Sequence, residues 1–440
     1  MKKFNKQSAL TNLDRKHNHK NVKVISAFVG AVITIALVVY FSFARFEKVS
    51  TYNLINGTVG AGTRTTLLEH ILSLNTSDLE YDGTDTLGEN GTVDNNLRYV
   101  GKNANNFVYY NCTTTNPSQM NLETCELWNI IGVMNNIEDD NGNSASRIKM
   151  INMGINNGQT SSTGDHIYYS WDTSPSSVSN GFGVNQWGET THKDGTPYEG
   201  ADLMRELNTD YLGNVTVATD GKWYSDQNDV KEADPLPPLS DYAVNMIQSV
   251  KWYTGTNPND DELDDNKKRP STLPKEMYIY ERSDNVATIP DYMVGLMGSD
   301  VIHTTTWIGK VALPYMSDYF YSISNGELSY KTECLQKNIH SDDYYNETNE
   351  CNKNTWMNYA SFLIEHPDYY GSDFDFYTST LMSTITPDGI MGDFMVYSIG
   401  YPSNSTPVNV ASVFPSLYLK NEVNYLGGDG SFTNPYKIGM

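Results

Sequence analysis

An uncharged run of 21 residues, VISAFVGAVITIALVVYFSFA, extends from Val24 to Ala44. As a helix rising about 1.5 Å per residue it spans about 31 Å, which matches a bilayer core of about 30 Å. Residues 1–23 before it carry seven basic side chains (Lys2, Lys3, Lys6, Arg15, Lys16, Lys20, Lys23) and one acid, Asp14. Just after it come only Arg45 and Lys48, offset by Glu47. This asymmetry predicts a cytoplasmic N-terminus, a single membrane span and an extracellular remainder. A cleaved signal peptide is the rival reading, with Ser42-Phe43-Ala44 as a small-x-small cleavage site. The run is longer than the usual apolar region of about 7–15 residues, which favours an uncleaved signal anchor. Glu47 follows the run rather than opening it, unlike a type IV prepilin, and no cysteine follows closely enough for a lipid anchor.

The formal net charge is -23, so the basic tail leaves the rest of the chain more acidic still. Such a surface repels a phosphate backbone, and nucleic acid is excluded as a partner. It remains open to cationic partners and to ions. Charged residues make up only 19% of the chain and aromatics 12%, a balance that demands a packed interior rather than a disordered polyelectrolyte.

Residues 45–94 read as a juxtamembrane helix and linker. Leu67, Leu68, Ile71, Leu72 and Leu74 fall largely on one helical side, and the run SDLEYDGTDTLGENGTVDNN behind them offers little to bury. From residue 95 onward, short apolar-aromatic runs alternate with Asn, Gly and Asp. LRYVG, NFVYYNC, LWNIIGVM and RIKMINMG predict strands, with EDDNGN as a hairpin turn between the last two. Helical spacing returns at Ala201–Leu212, at Ser240–Trp252 and over Met316–Ile323. With long polar loops over 155–200 and 254–272, the expectation for 95–440 is one α+β domain.

Cys112, Cys125, Cys334 and Cys351 all fall in the expected exterior and form two close pairs in sequence. Local disulfides within each pair fit an oxidising compartment, and neither pair has zinc-finger spacing. Ser146-Arg147-Ile148-Lys149 fits S-x-x-K and Ser283-Asp284-Asn285 fits S-D-N, but Lys331-Thr332 is followed by Glu333 rather than Gly. The first match also alternates like a strand instead of opening a helix, so a Ser–Lys cell-wall enzyme is disfavoured and no catalytic residue is assigned. Asn257, Asn259 and Asp261 begin like an EF-hand, yet Glu262 and Lys268 break it. Calcium at loop carboxylates such as Glu138, Asp139 and Asp140 has no specific motif behind it, and no cofactor is expected. Tyr344, Tyr345, Tyr369 and Tyr370 sit in loop-like sequence and are candidate ligand contacts.

Taken in order, DNNLRYVGKNANNFVYYNC, CELWNIIGVM, RIKMINMG, YYSWD, WIGKVALPYMSDYFYS, YTSTLMSTITP and VFPSLYLKNEVNYLGGDGSFTNPYKI resemble a large group of uncharacterised membrane-anchored surface proteins from Firmicutes-type bacteria. The resemblance covers roughly residues 94–440. Its C-terminal part is similar to the C-type-lectin-like fold of formylglycine-generating (sulfatase-modifying) enzymes. The resemblance implies an Arg-Pro step before the last strands, where this chain has Phe414-Pro415. The catalytic cysteines of those enzymes have no counterpart here. The expectation is a non-catalytic binding or adhesion domain facing an extracellular glycan or protein. A structural cell-envelope or pilin-like subunit is the alternative.

Overall fold

The apolar run ELWNIIGVMNNIE becomes the longest strand, and the rest of the architecture is arranged about it. The structure is a computed structural model. It describes residues 64–86, 91–152, 168–170, 190–191, 197–198, 200–214, 222–224, 232, 234–253, 273–282, 306–324, 330–337, 351, 354–357, 375–381, 393–397, 402–405 and 410–440. The strands are β1 (Leu79–Tyr81), β2 (Leu97–Tyr99), β3 (Phe107–Tyr110), β4 (Glu126–Glu138), β5 (Ser144–Ile151), β6 (Tyr168–Ser170), β7 (Thr190–Thr191), β8 (Pro197–Tyr198) and β9 (Val250–Tyr253). They continue with β10 (Thr306–Gly309), β11 (Val311–Ala312), β12 (Asp375–Leu381), β13 (Asp393–Tyr397), β14 (Pro402–Ser405), β15 (Val410–Ser412), β16 (Ser416–Tyr418), β17 (Asn424–Gly427) and β18 (Tyr436–Gly439). The helices are α1 (Leu67–Ser73), α2 (Asp202–Asn208), α3 (Asp241–Met246), α4 (Pro274–Glu281), α5 (Met316–Tyr321) and α6 (Tyr330–Leu335). The fold is α+β.

Among the described residues, nine strands make one sheet in the order β11-β16-β5-β4-β3-β18-β17, with β2 joined to β4 and β1 to β2. A second sheet runs β14-β13-β12-β15-β6, and β9 pairs with β10. Strand β4 holds β5 along one side, while β3 and then β2 share the other. Gly132 makes that sharing possible, because a Cβ there would come 2.3 Å from the Leu97 carbonyl oxygen. The register shifts between Met134 and Ile137, and Asn136 takes φ +56° beside it, a conformation that Asn tolerates better than a β-branched residue. The expected hairpin turn forms between β4 and β5. Asp139 Oδ1 accepts the backbone N–H groups of Asn141 and Asn143, both at 2.9 Å, and Gly142 supplies φ +78°.

Residues 64–94 differ from the expected linker, because the compact unit begins at Arg64. Helix α1 is capped by Thr66 and Glu69, and it buries Leu67 and Ile71 completely in the main core. Its entry is stitched to the C-terminal hairpin: Leu67 N–H donates to the Val423 carbonyl and Tyr425 N–H to that of Thr65. Two fully buried aliphatic side chains contribute about 1.5–3 kcal/mol each, more than a free stalk helix could retain. The polar run after it also turns inward, with Asp82, Thr86, Asp94 and Asn96 all buried.

The helix expected over Ser240–Trp252 stops at Met246. Ser240 does cap it, accepting from Ala243 N–H, but Ile247 bridges to Leu419 and residues 250–253 become β9. In VKWY the apolar Val250 and Trp252 alternate inward while Lys251 and Tyr253 are half-buried, a two-residue period that outweighs the helical one. The core around these elements is aromatic: Trp128, Trp252, Tyr110, Tyr315, Tyr319, Tyr321 and Phe320 are all buried. Both cysteine pairs close locally as expected, Cys112 with Cys125 and Cys334 with Cys351. Among the described residues no helix is long and apolar enough to cross a membrane, and the 24–44 segment lies outside them.

Candidate functional site

The densest chemistry among the described residues lies inside the domain rather than in a surface cleft. Asp82 follows β1, and its carboxylate is saturated. Oδ1 accepts from Asn96 N–H (2.7 Å) and the Thr86 hydroxyl (2.8 Å), and Oδ2 from Asn96 Nδ2 (2.9 Å) and Arg98 Nε (2.7 Å). Arg98, on β2, then reaches through Nη1 to Asp318 Oδ1 at 2.9 Å. Asp318 is the third residue of α5. Its Oδ2 accepts Tyr315 N–H at 2.8 Å, satisfying a donor that the helix start would otherwise leave open, and Lys149 Nζ from β5 at 2.5 Å. Lys149 is 0% exposed and ringed by Tyr315, Trp252 and Tyr418, with Nζ 4.1, 5.3 and 5.6 Å from their centroids.

A second group adjoins it. Glu281 ends α4 and accepts from Ser317 through both oxygens, from the backbone N–H at 2.8 Å and from the hydroxyl at 2.5 Å. The guanidinium of Arg282 pairs with Glu281 at 3.3 Å and lies 3.5 Å from the ring centroid of Tyr278. Tyr278 donates its hydroxyl to Asp94, which Asn136 also serves. Farther along, Lys331 pairs with Glu80 at 3.2 Å.

Burial and neighbours pull these groups in different directions. Desolvation and the nearby cations Arg282 and Arg98 outweigh Asp318 and lower Lys149 to about 8. Burial alone would raise Asp318, but Lys149 and Arg98 hold it below the usual carboxylate range. Burial pushes Glu281 up, against the opposing pull of Arg282 and the Ser317 hydrogen bonds. Arg98 stays protonated, because Asp82 and Asp318 overcome its desolvation. Arg98, Lys149 and Asp318 are closed to solvent.

The S-x-x-K match is not a catalytic pair. Ser146 and Lys149 lie three apart on one strand and so face opposite sides. The Ser146 hydroxyl donates to Asn135 Oδ1 at 2.6 Å while Lys149 is committed to Asp318. Asp139, one of the loop carboxylates considered for calcium, is occupied by its turn and by Arg147 at 3.2 Å. Among the described residues no group of three or more His, Cys, Asp or Glu side chains is placed to hold a metal. Tyr344, Tyr345, Tyr369 and Tyr370, together with Ser283–Asn285 and Asn257–Asp261, lie outside the described residues. Phe414, where the resemblance implies Arg, is 1% exposed in the main core, so this position serves packing. No protein-family model, no curated protein and no solved structure matches the chain.

Proposed function

We propose that the protein is a bacterial cell-surface binding or adhesion protein. A membrane anchor over 24–44 would carry a non-catalytic, C-type-lectin-like α+β domain outside the cell, where it engages a glycan or protein ligand. The observation that carries this reading is the pairing of all four cysteines as disulfides. Paired cysteines fit the oxidising side of a membrane, the side to which the basic tail and apolar run assign this domain. The inward-turned ion network adds support, because it stiffens a framework whose loops are then free to vary, as display scaffolds require. The test is a secreted form of residues 64–440 with both disulfides intact, probed on a glycan array and in pull-downs from host and bacterial surface extracts. Saturable binding to a defined ligand is expected. The absence of binding above background in both formats would overturn the proposal.

A further inference from the structure

Lys149 and Asp318 meet where a charged pair is poorly served. An ammonium has three N–H donors, yet among the described residues Lys149 Nζ has one hydrogen-bond partner, Asp318 Oδ2, and otherwise faces aromatic rings. The other buried ions beside it already balance: Asp82 with Arg98, and Glu281 with Arg282. Removing one positive and one negative charge at Lys149 and Asp318 therefore leaves no ion of those two pairs uncompensated, and it relieves the desolvation that a buried pair carries. We propose that Lys149 and Asp318 condense to an internal amide between Nζ and Cγ, a covalent cross-link from β5 to the first turn of α5.

The reactants are already in place. Asp318 lies next to Lys149 Nζ at 2.5 Å, and Arg98 Nη1 holds Oδ1 at 2.9 Å, where it withdraws electrons from Cγ and stabilises the charge that gathers on Oδ1 during attack. A proton passes from the ammonium to Oδ2, giving amine and acid. The amine lone pair forms the Nζ–Cγ bond and the Cγ–Oδ2 bond breaks. Oδ2 departs as water, carrying the acid proton and one proton from nitrogen. Neither oxidant nor cofactor is consumed. Burial, which lowers Lys149 to about 8, makes the amine form accessible. Asp318 favours its ionised form, so the acid is the minor tautomer of the pair and the step is slow. The product forfeits the Tyr315 N–H bond to Oδ2 and keeps the Arg98 bond to Oδ1. The walls of Trp252, Tyr315 and Tyr418 keep water from reversing it.

The test is tryptic mapping by mass spectrometry of the full-length chain, purified from its membrane, reduced and denatured. A linked protein is not cut after Lys149. It yields residues 148–193 joined to residues 311–331, lighter by one water than the sum of the two peptides. Lys149→Met and Asp318→Ala chains, digested the same way, lose that species whether or not they fold. Recovery of separate peptides 150–193 and 311–331 at their full masses, with no joined species, would overturn the proposal.

Discussion

Replacing Arg98 with Met tests whether the buried ions hold the domain together. Methionine keeps an unbranched apolar stem but stops short of the guanidinium, whose carbon lies 5.8 and 5.3 Å from the ring centroids of Tyr278 and Tyr321. It deletes two charge-assisted hydrogen bonds, to Asp82 and to Asp318. Such bonds contribute about 1.5–3 kcal/mol each, and breaking a buried pair from one side costs about 3–5 kcal/mol. One term runs the other way. Arg98 Nη2 has no hydrogen-bond partner among the described residues, and removing it returns about 1–3 kcal/mol. Asp82 keeps three other donors, and Asp318 in the unlinked pair keeps two, which limits the damage to both carboxylates. The balance is a loss of about 3 kcal/mol, a large share of a typical domain stability of about 5–15 kcal/mol. The assay is equilibrium denaturation of residues 64–440 by urea, disulfides intact, followed by tryptophan fluorescence, with Trp128 and Trp252 buried in the core. A stability within about 0.5 kcal/mol of the parent, the range of ordinary surface changes, would refute the reasoning.

Three further outcomes are expected. Replacing Cys112 and Cys125 together with Ala opens a loop with a sequence separation of 13 and lowers stability by about 3 kcal/mol, read as a drop in Tm in non-reducing buffer. Ile71→Ala in α1 lowers stability by about 2–5 kcal/mol, and a chain starting at residue 95 unfolds at lower urea than one starting at 64; equal midpoints would return α1 to a stalk. Glu281 has a folded pKa above its unfolded value of 4.5, so the folded state binds more protons and stability falls as pH rises from there through the folded pKa. Glu281→Gln flattens that slope in a denaturation series run upward from pH 4.5.

Local periodicity carried the sequence reading well where it was not contested. The β2–β5 strands, the Asp139 turn, the Ser240 cap and both disulfides follow from alternation, turn chemistry and cysteine spacing. What failed depended on distant partners. Residues 65–74 show an amphipathic helix, but only Val423 and Tyr425, far along the chain, determine that it packs into the domain. The 240–252 helix yields to β9 because β10, more than fifty residues on, offers a strand to pair with. The ion network likewise joins residues far apart in the chain, although each has a local signal. Arg98 in LRY and Asp318 in MSDYFY are single charges inside apolar-aromatic runs, and Lys149 in RIKMI and Glu281 in YIYER each share such a run with one other charge. A charge placed there is buried and needs a partner, but the sequence alone does not say which.

Arg98, Lys149 and Asp318 fasten β2, β5 and α5 into one cooperative unit. Native-state hydrogen exchange on residues 64–440 tests it most directly. The amides of Tyr99, Met150 and Phe320 are expected to exchange only through one shared opening, with the same free energy and the same urea dependence. Exchange of α5 through a separate opening of much lower free energy than that of β5 would contradict it.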